Sequence, residues 1–164
     1  MQHRTCVRGF TLIELIIVMV IFAILVAGAL LVDITGGVTA YNDAQQIATA
    51  IRYAQSLSMT HDANYTVTMS SVSSVWQYQI LLSGVAQINP TTGSTAPVVI
   101  SSTLAFSSAI SSGSLSFDGR GVPYGNSNTP LSSAATVTLT FSGEKSQIVQ
   151  IAPKTGNVQV IAST

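Results

Sequence analysis

Few side chains in this sequence are placed to do chemistry. The first is Glu14, which stands just before an uninterrupted apolar run from Leu15 to Val32, with Thr11 the only other polar residue close by. A carboxylate at mid-membrane costs roughly 2.5–3.5 kcal/mol on insertion scales, and less near an interface, so an acid here calls for a partner. One role is local. Thr11-x-x-Glu14 fits a capping box, which satisfies orphan amides at a helix start, and the charge complements the positive end of the helix dipole.

The other candidates are weaker. His61 beside Asp62 could be an acid–base pair or part of a metal site. No second histidine follows Gly9 and Cys6 is the only cysteine, so no recognisable ligand spacing is present. A solvated turn at a helix end accounts for both residues. "DGRG" at 118–121 lacks the later positions of a calcium loop and the lysine–hydroxyl pair of a phosphate loop. It reads as a β-turn or bulge, with Arg120 able to pair with Asp118 or a neighbouring subunit. Serine is abundant, but one histidine and no nucleophile elbow argue against a triad. Trp76 and Tyr78 share a strand face by parity and read as a core or sheet-surface pair. Asn64-Tyr65-Thr66 matches a glycosylation acceptor by coincidence. No cofactor or metal is expected, and no enzymatic activity.

Composition narrows the classes further. The 164 residues leave room for one domain with a modest core plus a non-globular segment. Charged residues make up 7% against 47% hydrophobic, well under the roughly 25% charged of soluble domains. Six acidic and six basic side chains balance, so no field favours nucleic acid.

The elements that must position Glu14 begin with the apolar run itself. As a helix, Leu15 to Val32 covers about 27 Å, close to the hydrocarbon thickness of a bilayer. Arg4 and Arg8 ahead of it place the N-terminus in the cytoplasm and the remainder across the membrane. A secretory signal peptide could be cut after the small residues Ala27–Ala29, and an uncleaved anchor is a second option. Neither needs Gly9 or Glu14. Cys6 precedes the run instead of following it, which disfavours a lipoprotein.

"GFTLIE", Gly9 to Glu14, followed by a long apolar helix, resembles the processing signature of type IV prepilins and type II secretion pseudopilins. That resemblance implies cleavage between Gly9 and Phe10 on the cytoplasmic side by a prepilin peptidase, and N-methylation of the new Phe10 amine by the same enzyme. The cation so created lies one helical turn from Glu14, at the spacing where groups meet. The resemblance further implies that Glu14 reaches the Phe10 amine of a neighbouring subunit during assembly. The charge then serves as a register mark, a use of ion pairs better founded than stability.

Past the run, "DITGG" (33–37) predicts a pause, and a helical period returns from Val38 to Met59. Ala44, Ile47, Ala48, Ile51, Ala54 and Leu57 form an apolar stripe, with Asn42, Asp43, Gln46, Thr49 and Arg52 off it. "THDAN" (60–64) marks its end. The period then changes to two: 65–69, 75–82, a short strand from Ser114, 135–141, 147–152 and 158–161 read as strands. "SGEK" (142–145) and "PKTG" (153–156) join the last three into an antiparallel meander. Residues 83–113 offer a loop at 88–97, and 101–116 hold eight serines among sixteen residues, a stretch expected to be partly ordered only within an assembly.

"IRYAQSLSMT" (51–60), "FDGRGVP" (117–123) and "IVQIAPKTGNVQV" (148–160) resemble the GspH/FimT-type minor pilins of type II secretion and of type IV or MSHA-type pili. Asn157 departs from the basic residue that family often carries after the glycine of the final turn. No cysteine pair closes the C-terminal region, unlike many major pilins. The implied fold is α+β: a long N-terminal α-helix, transmembrane in its first half and amphipathic in its second, packed on a C-terminal antiparallel β-sheet head. The expected division is a leader over 1–9, an assembly helix over 10–35, an amphipathic helix over 36–64 and a periplasmic head over 65–164. The implied function is that of a structural minor pilin or pseudopilin subunit, a single-pass inner-membrane protein that is assembled into or primes a type IV pilus or type II secretion pseudopilus. Its implied partners are the prepilin peptidase/methyltransferase, other major and minor pilins or pseudopilins, and an inner-membrane assembly platform. A membrane-anchored periplasmic binding or adhesive domain that does not polymerise is the alternative.

Overall fold

The computed structural model describes residues 12–31, 38–126 and 128–163, with side chains omitted over 25–31. The leader, the Gly9–Phe10 bond and the expected pause at "DITGG" lie outside the described residues. The chain forms two compact units, Met1–Ile34 and Thr35–Thr164.

In the first unit, α1 runs from Leu12 to Leu31, with Glu14 in its opening turn. Every described side chain from Leu12 to Ile24 is exposed. A helix apolar on all sides has no solvated face, so water is not its natural surround. Among the described residues no helix is long and apolar enough to cross a membrane, the described side chains of α1 covering only about 20 Å.

In the second unit, α2 spans Val38–His61 and buries Ala44, Ile47, Ala48, Ile51 and Ala54 as the periodicity predicts, with Leu57 partly covered. Its contact face is rich in alanine, so the helix backbone approaches the sheets closely. One residue departs from the expected pattern. Asp43, read as off the stripe, is buried, because its carboxylate has partners described below.

Strands β1 (Tyr65–Val72), β2 (Val75–Leu82), β3 (Val85–Ala86), β4 (Val98–Ile100), β6 (Ser114–Phe117) and β7 (Pro123–Tyr124) make a six-stranded sheet in the order β3-β2-β1-β6-β7, with β4 also on β2. Strands β5 (Thr103–Phe106), β8 (Ala135–Thr140), β9 (Gln147–Ile151) and β10 (Val158–Ala162) make a second sheet, β10-β9-β8-β5. The expected meander is β8-β9-β10, antiparallel throughout. Every pairing is antiparallel, and α2 packs on both sheets, giving an α+β fold. The core joins α2 to Val67, Tyr78, Ile80, Leu115 and Phe117 of the first sheet and Val137, Leu139, Val149 and Ile151 of the second.

Two features of the head differ from expectation. The first strand extends to Val72 instead of ending at Met69, because Ser73 and Ser74 both take positive φ, 51° and 65°, and close a tight hairpin onto Val75. That turn geometry favours Asn-Gly, so a serine pair carries no such signal. Residues 83–113 are also ordered within the single chain, as β3, β4, β5 and a 3-10 turn at Ser108–Ile110. Their strands are too short to show a period.

Candidate functional site

The three short segments that carry the resemblance to minor pilins meet on one side chain. Gln55, on α2, donates from Nε2 to the carbonyl of Gly121 at 2.9 Å and to that of Thr155 at 2.7 Å. One acceptor belongs to the "DGRG" turn and the other to the "PKTG" turn. A helix amide thereby fastens two loops of two different sheets. Arg52, one turn earlier, donates to the carbonyl of Val158 at 2.8 Å and holds the first residue of β10.

The turn at 118–121 is organised by its own aspartate. Gly121 N–H donates to the Asp118 carbonyl at 2.8 Å, and Asp118 Oδ1 accepts from the amides of Arg120 at 3.0 Å and Val122 at 2.8 Å. Oδ2 meets the Arg120 guanidinium at 3.1 Å and the Tyr124 hydroxyl at 3.3 Å. Partial burial alone would raise the Asp118 pKa. Hydrogen bonds from Val122 and Arg120, with the guanidinium charge, outweigh it and hold the carboxyl below its usual range. Arg120 pairs within its own turn. Beside it a concavity of about 180 Å³, lined by Asn64, Ser116 and Asn128 among others, is below the size of ordinary ligand pockets, roughly 300–1,000 Å³.

Gly156 completes the second turn. Its φ is +65°, and a Cβ there would lie 2.5 Å from Gln55 Nε2 and 2.9 Å from Phe117. Glycine is required both by the left-handed backbone and by the closeness of the clasp.

Two carboxylates that sequence reasoning missed tie α2 to distant loops. Asp43 Oδ2 accepts from Ser101 N–H at 3.1 Å, Ser102 N–H at 2.8 Å and Ser102 Oγ–H at 2.7 Å, where the chain crosses from β4 in one sheet to β5 in the other. Glu144, in the β8–β9 turn, accepts from Thr39 N–H at 3.2 Å and Ala40 N–H at 2.7 Å, capping α2. An acid off the apolar stripe of α2 and a serine-rich stretch far along the chain were the only hints of the first. Nothing in "SGEK" marks the second.

The remaining candidates are structural. His61 ends α2 with Nδ1 3.1 Å from the Tyr65 hydroxyl, and Asp62 has φ +48° in the turn that follows. Tyr78 is fully buried, and Trp76 packs edge-on to Phe106 with ring centroids 5.7 Å apart. Among the described residues no three His, Cys, Asp or Glu side chains gather as metal ligands would.

Residues 43–156 match the family model of the type II transport protein GspH, and residues 4–30 match the prokaryotic N-terminal methylation motif. The chain belongs to the GspH family. The GspH match begins at Asp43 and ends at Gly156, so it encloses the Asp43 crossing and the Gln55 clasp. Ahead of it, the methylation motif contains Gly9, Phe10 and Glu14. Together these make the GspH-family chain a minor pilin or pseudopilin subunit, and they do not favour a non-polymerising adhesive domain. The family is one of structural subunits. The crystal structure of the type IV minor pilin FimU from Pseudomonas aeruginosa is similar, with a TM-score of 0.50 at 17% identity over 76% of this chain and 97% of that one. At that identity the likeness bears on the fold. No curated protein sequence matches the chain.

Proposed function

We propose that the chain is processed between Gly9 and Phe10 by a prepilin peptidase that also methylates Phe10, and that it then joins or primes a type IV pilus or a type II secretion pseudopilus. The observation that carries this is the methylation motif over residues 4–30, which takes in Gly9, Phe10 and Glu14 and nearly all of the otherwise apolar α1. In this reading residues 1–9 are removed and 10–35 hold the subunit in the inner membrane, with the N-terminus cytoplasmic. Residues 36–64 carry the head, 65–164, in the periplasm.

During assembly the apolar helices leave lipid for a shared bundle. Burial of helix surface at about 25 cal/mol per Å² drives packing, offset by extraction from the bilayer. Glu14 supplies register, by meeting the methylated Phe10 amine of a neighbouring subunit. Partners are therefore the processing enzyme, other pilins or pseudopilins, and an inner-membrane platform. The head serves as a protein–protein surface and performs no reaction.

Intact mass and N-terminal sequencing of the membrane-extracted chain test the reading. The expected result is a chain that begins at methylated Phe10. A chain that begins at Met1, or close to Leu30, overturns it.

A further inference from the structure

Residues 65–117 contain no Asp, Glu, Lys, Arg or His, yet they build β1 to β6. Alternation along β1 sends Tyr65, Val67 and Met69 into the core and leaves Thr66, Thr68, Ser70 and Val72 on the opposite face. The register sets Ser114 and Ser116 beside the two threonines on one flank, with Gln77 and Gln79 on the other. From β4 to β6 the outer face thus carries no charge and is mostly hydroxyls and amides, with Leu81 opposite Thr66; the Asp118–Arg120 pair lies past the end of β6.

One corner of that face is apolar. Val72 lies directly opposite Val75, and Val99 lies opposite Gln77, two residues from Val75. The three valines are 55%, 46% and 62% exposed. Single exposed aliphatics are ordinary, but an opposed valine pair with a third valine diagonal to it, set beside a neutral polar surface, has the composition of a contact: apolar residues, neutral polar neighbours and depleted charge.

The size of the face decides what sort of partner it suits. With strands about 4.8 Å apart and about 3.3 Å per residue, it offers roughly 450 Å². A stable complex between freely diffusing proteins needs about 800 Å² from each side. The face is therefore too small to capture a partner from solution. It is adequate for one already held alongside, where effective concentration supplements weak affinity. We propose that the outer face of the first sheet docks against the head of a neighbouring pilin-type subunit in the same assembly, with Val72, Val75 and Val99 as its apolar corner. The proposal rests on the subunit reading above, and it specifies which surface of the head makes the contact. Being uncharged, this contact is insensitive to ionic strength.

The test uses the full-length chain in its native cells, with a photocrosslinking amino acid at position 99. Separate variants carry Val75→Glu or Val99→Glu, and Gln159→Glu on the exposed side of β10 serves as control. The expected adduct joins this chain to one that mass spectrometry identifies by its own prepilin-type N-terminal motif. Each valine variant should reduce recovery in the sheared filament fraction roughly tenfold, the effect of a charge trapped in a small contact. N-terminal processing and circular dichroism should match wild type, as should the control. The face is ruled out by an adduct only with lipid, glycan or a protein lacking that motif. No adduct from an incorporated chain, or undiminished incorporation of both valine variants, also rules it out. A wild-type chain that keeps its leader and never joins a filament instead overturns the subunit reading, and this face falls with it.

Discussion

Glu144 Oε2 accepts the amide of Ala40 at 2.7 Å, so a carboxylate in a turn of the second sheet caps the helix that begins more than a hundred residues earlier. The first amides of any helix lack internal acceptors, and negative charge there also complements the helix dipole. Here a cap comes from tertiary structure, from a residue in another element. It fixes the start of α2 and the position of the β8–β9 turn together.

Replacing Glu144 with alanine should therefore cost about 0.5–2 kcal/mol of head stability, the usual range for a lost cap. Denaturant unfolding of the detergent-extracted chain reads this directly as a lower midpoint at unchanged slope. A midpoint equal to wild type would show that water replaces the carboxylate without loss.

Asp43→Ala should be more damaging. The substitution strips Ser102 of the acceptor for both its amide and its hydroxyl, and Ser102 is almost fully buried. A buried donor left unsatisfied costs about 1–3 kcal/mol, and bonds to a charged acceptor lie at the upper end. Hydrogen exchange should show faster opening at residues 101–106 before the rest of the head. Uniform opening of the whole head would mean that the crossing is not a separate weak point.

How much of this was legible in the sequence depends on how local each signal is. The apolar stripe of α2 and the β8-β9-β10 meander follow from periods of helix and strand that span only a few residues. Asp43 defeated the same reading because an acid on a helix suggests water, and its serine partners lie nearly sixty positions away. Gln55 looks like any surface glutamine. Its role appears only when the "DGRG" and "PKTG" turns, each recognisable as a turn, are seen to converge on it. Short segment likeness marked the parts of the clasp without revealing that they touch.

That convergence can be tested at the glycine beneath it. Gly156→Ala and Gly143→Ala both place a side chain at positive φ, +65° and +80°, at a cost of about 1–2 kcal/mol each. At Gly143 the added Cβ meets open space, whereas at Gly156 it meets Gln55 Nε2 and Phe117. Gly156→Ala should therefore destabilise the head by at least about 1 kcal/mol more, in line with overpacked sites. In a Gln55→Ala background part of that excess should vanish. Equal costs for the two glycine variants would show that the clasp yields freely.

Asp118 gives the head an acid-side dependence with a definite sign. Its folded pKa is depressed, so the unfolded chain binds a proton more readily than the folded one. The stabilisation is complete above the unfolded value, near pH 3.9, and is lost as pH falls through the lower folded value. Asp118→Asn removes the ionisable group, so its stability relative to wild type should improve as pH falls below about 4. Parallel stability curves for the two chains across that window would mean that the turn holds Asp118 no better than water does.

Glu14 separates processing from assembly. It sits in the first turn of α1, among exposed Leu15, Val18 and Met19, and its insertion into a membrane carries a cost that alanine does not. Glu14→Ala should therefore insert at least as well as wild type and should still be cut between Gly9 and Phe10. What it should lose is registered packing, because in the assembly proposed above the methylated amine of the adjoining subunit then has no anion to meet. The expected result is full processing with incorporation into sheared filaments reduced about tenfold or more, the scale of one buried charge pair. Glu14→Gln keeps the shape and removes the charge, so it should assemble as poorly as alanine if charge sets the register. Wild-type incorporation of the glutamine variant would reduce Glu14 to a helix cap.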